Sequence, residues 1–247
     1  MRAVLFAVAL IGVALIASPG AAAAAACQTT TFEAIAFTYC TAEAGDDLRL
    51  FLNGADGLPY GGFGAVDASL AATGQHLAFA MNAGMFKPDQ SPVGLYIEAG
   101  VEKHKIITAE GPGNFGLLPN GVFCVGDRLA VVESRSFAAH PFKCRYATQS
   151  GPMLVIAGAL HPAFQADSTS DHIRNGVGVS GDGKTAWFAI SDEAVNFDRF
   201  ARFFRDVLGA EAALYFDGSV SRMAVAAMGR SGAGFAVGPI VGLVEGN

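Results

Sequence analysis

The turn-forming residues constrain this chain most. Its apolar runs are short, and Gly, Pro, Asn or Asp interrupts nearly all of them; there are 31 glycines and 10 prolines. Short runs rich in Val, Phe and Ile between such breaks read as strands rather than helices. The pattern predicts strands at 30–39, 48–53, 77–81, 94–98, 121–125, 128–132, 153–156, 177–180, 185–190, 213–216 and 235–237. Two segments carry helical spacing instead, 64–73 and 196–208. In the second, Phe197, Phe200, Ala201, Phe204 and Leu208 share one face. Asp198 with Arg202, and Arg202 with Asp206, are four apart and predict ion pairs on the other. Asn196 is placed to cap this helix and Gly209 to stop it. No internal repeat or linker divides the chain. The expectation is a single α+β domain, with a mixed, largely antiparallel β-sheet core and a few flanking helices.

The first 26 residues stand apart. Arg2 precedes an apolar run to Ala17, a Ser-Pro-Gly break follows, and alanines then offer small-residue cleavage sites. This is the pattern of a secretory signal peptide, too short for a membrane anchor. A domain at 27–247 is expected to work in the periplasm or outside the cell, with no stable membrane insertion. In an oxidising compartment the four cysteines, Cys27, Cys40, Cys124 and Cys144, imply two disulfides. Of three possible pairings, the sequence-local Cys27 with Cys40 and Cys124 with Cys144 are preferred. No CxxC, HxH or HExxH occurs, so no metal and no cofactor is expected. The net charge of −6, with no basic stripe, argues against a nucleic-acid partner.

Residues 178–185, GVSGDGKT, match the phosphate-binding loop pattern G-x-x-x-x-G-K-[ST]. The pattern holds phosphate only where a helix N-terminus follows. Here TAWFAI follows, β-rich and uncapped, so 180–184 reads as a hairpin tip and no nucleotide triphosphate is expected.

Polar residues within apolar or glycine-rich surroundings fall in five places: MNAGMF at 81–86, ATQSGP at 147–152, IRNGV at 173–177, Ser191 and Asp192 with Asn196, and LYFDGS at 214–219. Turn chemistry accounts for any one of them. Five together, several at predicted strand ends, point to a ligand site, because strand ends present side chains from a rigid frame. The five histidines are scattered; His172 alternates with Arg174 along one strand and reads as a bystander.

Taken in order, MNAGMF, SPVGLYIEAG at 91–100, NGVF at 120–123, TQSGPMLV at 148–155, RNGVGV at 174–179, AISDEAVNFDRFARFFRD at 189–206 and LYFDGSVSRM at 214–223 resemble the phosphodiester glycosidase family. One departure is that a single glycine, Gly218, follows Asp217 where the family often has several. The resemblance implies release of a sugar from a sugar-1-phosphodiester by cleavage of the anomeric C–O bond. A phosphate ester leaves readily, its relevant pKa being about 6, so the reaction needs a cation for the phosphate and a carboxylate for the oxocarbenium-like centre or its water. Arg174 suits the first role and Asp217 the second. Asn82, Gln149, Ser150, Asp192, Asn196 and Ser219 are then expected to bind a glycan or sugar-phosphate substrate, with Gly84 and Gly218 admitting it close to the backbone. The rival reading is a non-catalytic envelope protein that binds glycan or assists exopolysaccharide assembly on the same scaffold.

Overall fold

A computed structural model describes residues 26–217 and 219–246. Residues 1–25 of the signal peptide expected at 1–26 lie outside them, as do Gly218 and Asn247. The strands in chain order are β1 (Ala26–Phe32), β2 (Ile35–Glu43), β3 (Leu48–Phe51), β4 (Gln75–Asn82), β5 (Tyr96–Glu98), β6 (Val101–His104), β7 (Gly121–Val125), β8 (Leu129–Glu133), β9 (Tyr146–Ser150), β10 (Met153–Ile156), β11 (Ala159–Leu160), β12 (Asn175–Val179), β13 (Thr185–Ser191), β14 (Ala212–Asp217), β15 (Met223–Val225) and β16 (Ile240–Gly246). The helices are α1 (Phe63–Ala71), α2 (Gly113–Gly116), α3 (Ser134–Ala139) and α4 (Phe197–Arg202). They form an α+β domain of three sheets, ordered β1-β2-β13-β12-β14-β10-β11, β15-β4-β16-β3 and β6-β5-β9-β7-β8. The strand pairings are antiparallel.

The sheets converge on one core. Phe79 of β4, Phe123 of β7, and Phe188 and Phe216 of the first sheet meet there, with Phe188 ring centroids 5.1 Å from Phe79 and 5.6 Å from Phe123. The first sheet is buried on its other face as well, against α4 and the turn after it, where Phe37, Phe200, Phe203 and Phe204 pack. The alternation NGVGV in β12 serves both faces. Val177 and Val179 enter the central core, while a Cβ on Gly178 would lie 2.6 Å from the Phe204 ring. Glycine is needed there for close approach.

Residues 180–184 close the β12–β13 hairpin, and a strand follows rather than a helix. Asp182 Oδ1 accepts from the Ser180 hydroxyl at 2.7 Å and from the Lys184 N–H at 3.0 Å. Disulfides join Cys27 to Cys40 across β1 and β2, and Cys124 to Cys144. Among the described residues no helix is long and apolar enough to cross a membrane.

Several expectations need correction. The strand expected at 30–39 is two strands turning at Glu33 and Ala34, both with positive φ, which no Gly or Asn advertises. The helix expected over 196–208 is α only to Arg202; Phe203–Val207 forms a π-helical turn, Leu208 N–H reaching Phe203 O at 3.2 Å. The wide turn coincides with two adjacent buried phenylalanines. Phe203 stacks 4.1 Å from Phe37 and Phe204 lies 5.2 Å from Phe200, positions an ideal helix would hold 100° apart. Asp206 accordingly pairs with Arg205, while Arg202 holds Asp198 and Glu33. Residues 235–237 are not a strand. The strand that pairs with both β3 and β4 is β16, which its glycines concealed.

Candidate active site

Alternate residues of a strand share a face. In β14, Leu214 and Phe216 enter the central core, and Ala213 and Tyr215 the outer one. Asp217 ends the strand on the Tyr215 side, 7% exposed. Its Oδ1 accepts the Ser219 N–H at 2.8 Å, its own N–H donates to Asn175 Oδ1 at 3.1 Å, and its carbonyl accepts the Ser221 hydroxyl. Asn175 opens β12 opposite Asp217. Its Nδ2 donates to the Asn82 carbonyl at 2.9 Å and to Asn82 Oδ1 at 2.8 Å. Asn82 Oδ1 also accepts the Arg222 N–H at 2.8 Å. These amides tie the ends of β4, β12 and β14 together, and with Ser219 and Ser221 they fix Asp217 in place. The Asn82 Nδ2 is buried without a hydrogen-bond partner, an arrangement that calls for a ligand or a water.

A cavity of about 450 Å³ opens over this knot. Tyr215, Asp217 and Ser219 line it together with Asn114 and His172, and Met85, Phe86, Val93 and Val220 supply apolar walls. The size and the mixed lining suit a small-molecule site. Asp217 is the only carboxylate among the described lining residues.

Arg174 lies behind this wall. Its side chain is fully buried, the guanidinium carbon 3.7 Å from the Phe197 ring centroid and 5.4 Å from that of Tyr215. Nε donates to Val195 O and Nη2 to Ser170 O, each at 2.7 Å. Nη1 has no hydrogen-bond partner, and Arg174 forms no salt bridge among the described residues. Burial pulls its pKa down, yet an arginine begins so high that it stays charged. Burial raises the Tyr215 pKa, the nearby guanidinium only partly opposing it, so the phenol keeps its proton.

The sequence profile of the phosphodiester glycosidase family matches residues 75–242, and these include all the lining residues of the cavity. The chain belongs to that family. The chain is 37% identical over 177 residues to the uncharacterized protein YigE of Escherichia coli K12, covering 71% of this chain and 68% of that one. Its fold is similar to the catalytic domain of zebrafish N-acetylglucosamine-1-phosphodiester α-N-acetylglucosaminidase, auto-inhibited by its pro-peptide. The TM-score is 0.59 at 13% identity, over 89% of this chain and 81% of that one. A hypothetical protein from Synechocystis gives a TM-score of 0.54 at 14% identity, over 88% and 61%.

Within this phosphodiester glycosidase fold the expected site residues separate into groups. Asp217 and Ser219 face the cavity, and Asn82 supports it through Asn175. Gly84, at φ +128°, sits where a Cβ would approach Thr148 Oγ1 to 2.8 Å. Gln149 and Ser150 are interior props. The Gln149 amide bonds to Leu95, Ile107 and Ser134, and the Ser150 hydroxyl donates to Phe216 O at 2.8 Å. Asn196 caps α4, accepting the Arg199 N–H at 2.9 Å, and its Nδ2 donates to Ala166 O and Ser168 O. Asp192 lines a separate groove, where it holds Arg230 at 2.6 Å and Thr38 at 2.9 Å. The residues the sequence reading passed over are Asn175, Tyr215 and His172. Asn175 and Tyr215 sat inside quoted motifs as apparent core or turn positions. His172, read as a bystander, lines the cavity as an exposed side chain. Among the described residues no cluster of His, Cys, Asp and Glu is arranged to hold a metal ion.

Proposed function

We propose that this chain is an exported glycosidase that cleaves the anomeric C–O bond of a sugar-1-phosphodiester, releasing the sugar and a phosphate monoester. The observation that carries the reading is the single carboxylate among the described residues that line the cavity. Most glycosidases need two carboxyl groups, one of them to protonate a poor alcohol leaving group. A phosphate ester leaves as a stable anion and needs positive charge instead of an acid. Asp217 then serves the oxocarbenium-like centre or its attacking water. Arg174 acts as a buried cation whose field is little screened by solvent, rather than as a fork laid directly on the phosphate. Ser219 and the Asn82–Asn175 knot orient the sugar. The two disulfides and the signal-like first 26 residues support an oxidising, exported setting.

The test is sugar release from a panel of sugar-1-phosphodiesters in ¹⁸O water, by the parent chain and by Asp217→Asn. The expected result is label in the free sugar and a loss of turnover of at least about 10³-fold in the variant. Label in the phosphate would mean P–O cleavage and overturn the reading. Glycan binding by both proteins without turnover by either would favour a non-catalytic binding protein.

A further inference from the structure

Tyr215 carries a hydroxyl that the fold does not use. The side chain is fully buried, its one polar neighbour is the Arg174 guanidinium, which can only donate, so its O–H has no acceptor, and the residue lines the cavity two positions before Asp217 on the same face of β14. The ring is held in place: Phe197 packs edge-on against it with centroids 4.8 Å apart, and Phe164 stacks on Phe197 at 5.0 Å. The Arg174 guanidinium lies against the same aromatic group with Nη1 also unpartnered. A buried phenol in the wall of a cavity, with a buried guanidinium behind it, forms an incomplete anion site. Burying such groups unsatisfied is costly unless a bound group completes them.

We infer that Tyr215 is a catalytic residue that donates a hydrogen bond to the departing phosphate oxygen, with the Arg174 charge behind it. The assignment rests on the phosphodiester reading above. In the step it serves, the C1–O bond breaks and its electron pair stays on the phosphate oxygen, leaving a phosphate monoester dianion. Water forms the new C1–O bond and passes its proton to the Asp217 carboxylate. Tyr215 keeps its proton throughout, because a phenol is a far weaker acid than a phosphate monoester. Its contribution grows as charge develops on the oxygen, so it lowers the barrier rather than merely tightening substrate binding.

Tyr215→Phe tests this, because it removes only the oxygen and keeps the ring against Phe197 and Arg174. Turnover is compared on a sugar-1-phosphodiester and on the matching glycosyl fluoride, whose leaving group offers no phosphate oxygen. The expected result is a fall in kcat of about 10² to 10³ on the phosphodiester with KM little changed, and a much smaller fall on the fluoride. Weaker inhibition of the variant by the phosphate monoester product is expected alongside. Equal losses on both substrates would make the hydroxyl structural, and parent-like turnover of the phosphodiester would make it idle; either overturns the assignment and leaves the glycosidase reading standing. A parent chain that turns over neither substrate would overturn both.

Discussion

Gln149 and Asp217 look alike in the sequence, each a polar residue near a glycine where an apolar run begins or ends, but their surroundings differ in kind. Gln149 Oε1 accepts the N–H groups of Leu95 and Ile107, each at 3.0 Å. Its Nε2 donates to Ile107 O at 2.6 Å and to the Ser134 hydroxyl at 2.8 Å. The amide replaces a strand's worth of backbone partners where no strand runs. Gln149→Leu leaves several buried groups unpaired, at about 1 to 3 kcal/mol each. A loss of at least about 3 kcal/mol in urea unfolding is the expected outcome, with the remaining folded protein keeping its KM because Gln149 does not line the cavity. Asp217→Asn, by contrast, should unfold close to the parent midpoint while turnover collapses. Sequence patterning found both residues, since polar groups in apolar surroundings stand out. It could not separate prop from site, because the separation depends on which groups the remaining chain brings within 3 Å.

At the scale of elements, the β1–β2 turn is the clearest case of local preference overridden by packing. Glu33 and Ala34 adopt φ +48° and +65°, a left-handed pair usually given to Asn and Gly. The turn is held from outside. Arg199 bonds to Glu33 at 3.1 Å and Arg202 grips the same carboxylate, fastening the hairpin to α4. These bonds also hold the Glu33 carboxyl below its ordinary pKa. Ala34 is exposed and contributes mainly its unfavourable φ. Ala34→Gly relieves roughly 1 kcal/mol of left-handed cost and gives back part of it in unfolded-chain entropy. A rise in stability of about 0.5 kcal/mol is expected, read as a higher urea midpoint with an unchanged slope. Such a turn was not legible in the sequence, nor was β16. In that strand a Cβ on Gly242 would lie 2.5 Å from Leu77, so the glycine that reads as a break is a packing requirement.

For the molecule as a whole, the segment before residue 75 lies outside the family match yet completes two sheets, β2 against β13 and β3 against β16. The Cys124–Cys144 disulfide spans 20 positions, and chain entropy sets its worth at about 3 kcal/mol. The double variant Cys124→Ala, Cys144→Ala should lose about that much unfolding free energy. A change under about 1 kcal/mol would show that the surrounding sheet already restricts the unfolded chain. The sequence alone determined the antiparallel α+β class, the hairpin at 180–184, the capped helix after Asn196 and the short list of polar strand ends. All of these follow from turn chemistry and periodicity acting over a few residues. Only the tertiary structure decided which polar residues meet. Arg174 became a buried cation behind Tyr215, Asn175 the link between two sheets, and His172 part of the cavity lining. The physical reason is that burial and unpaired donors are properties of contacts made far apart in the chain: Asn82 and Asn175 meet across 93 positions.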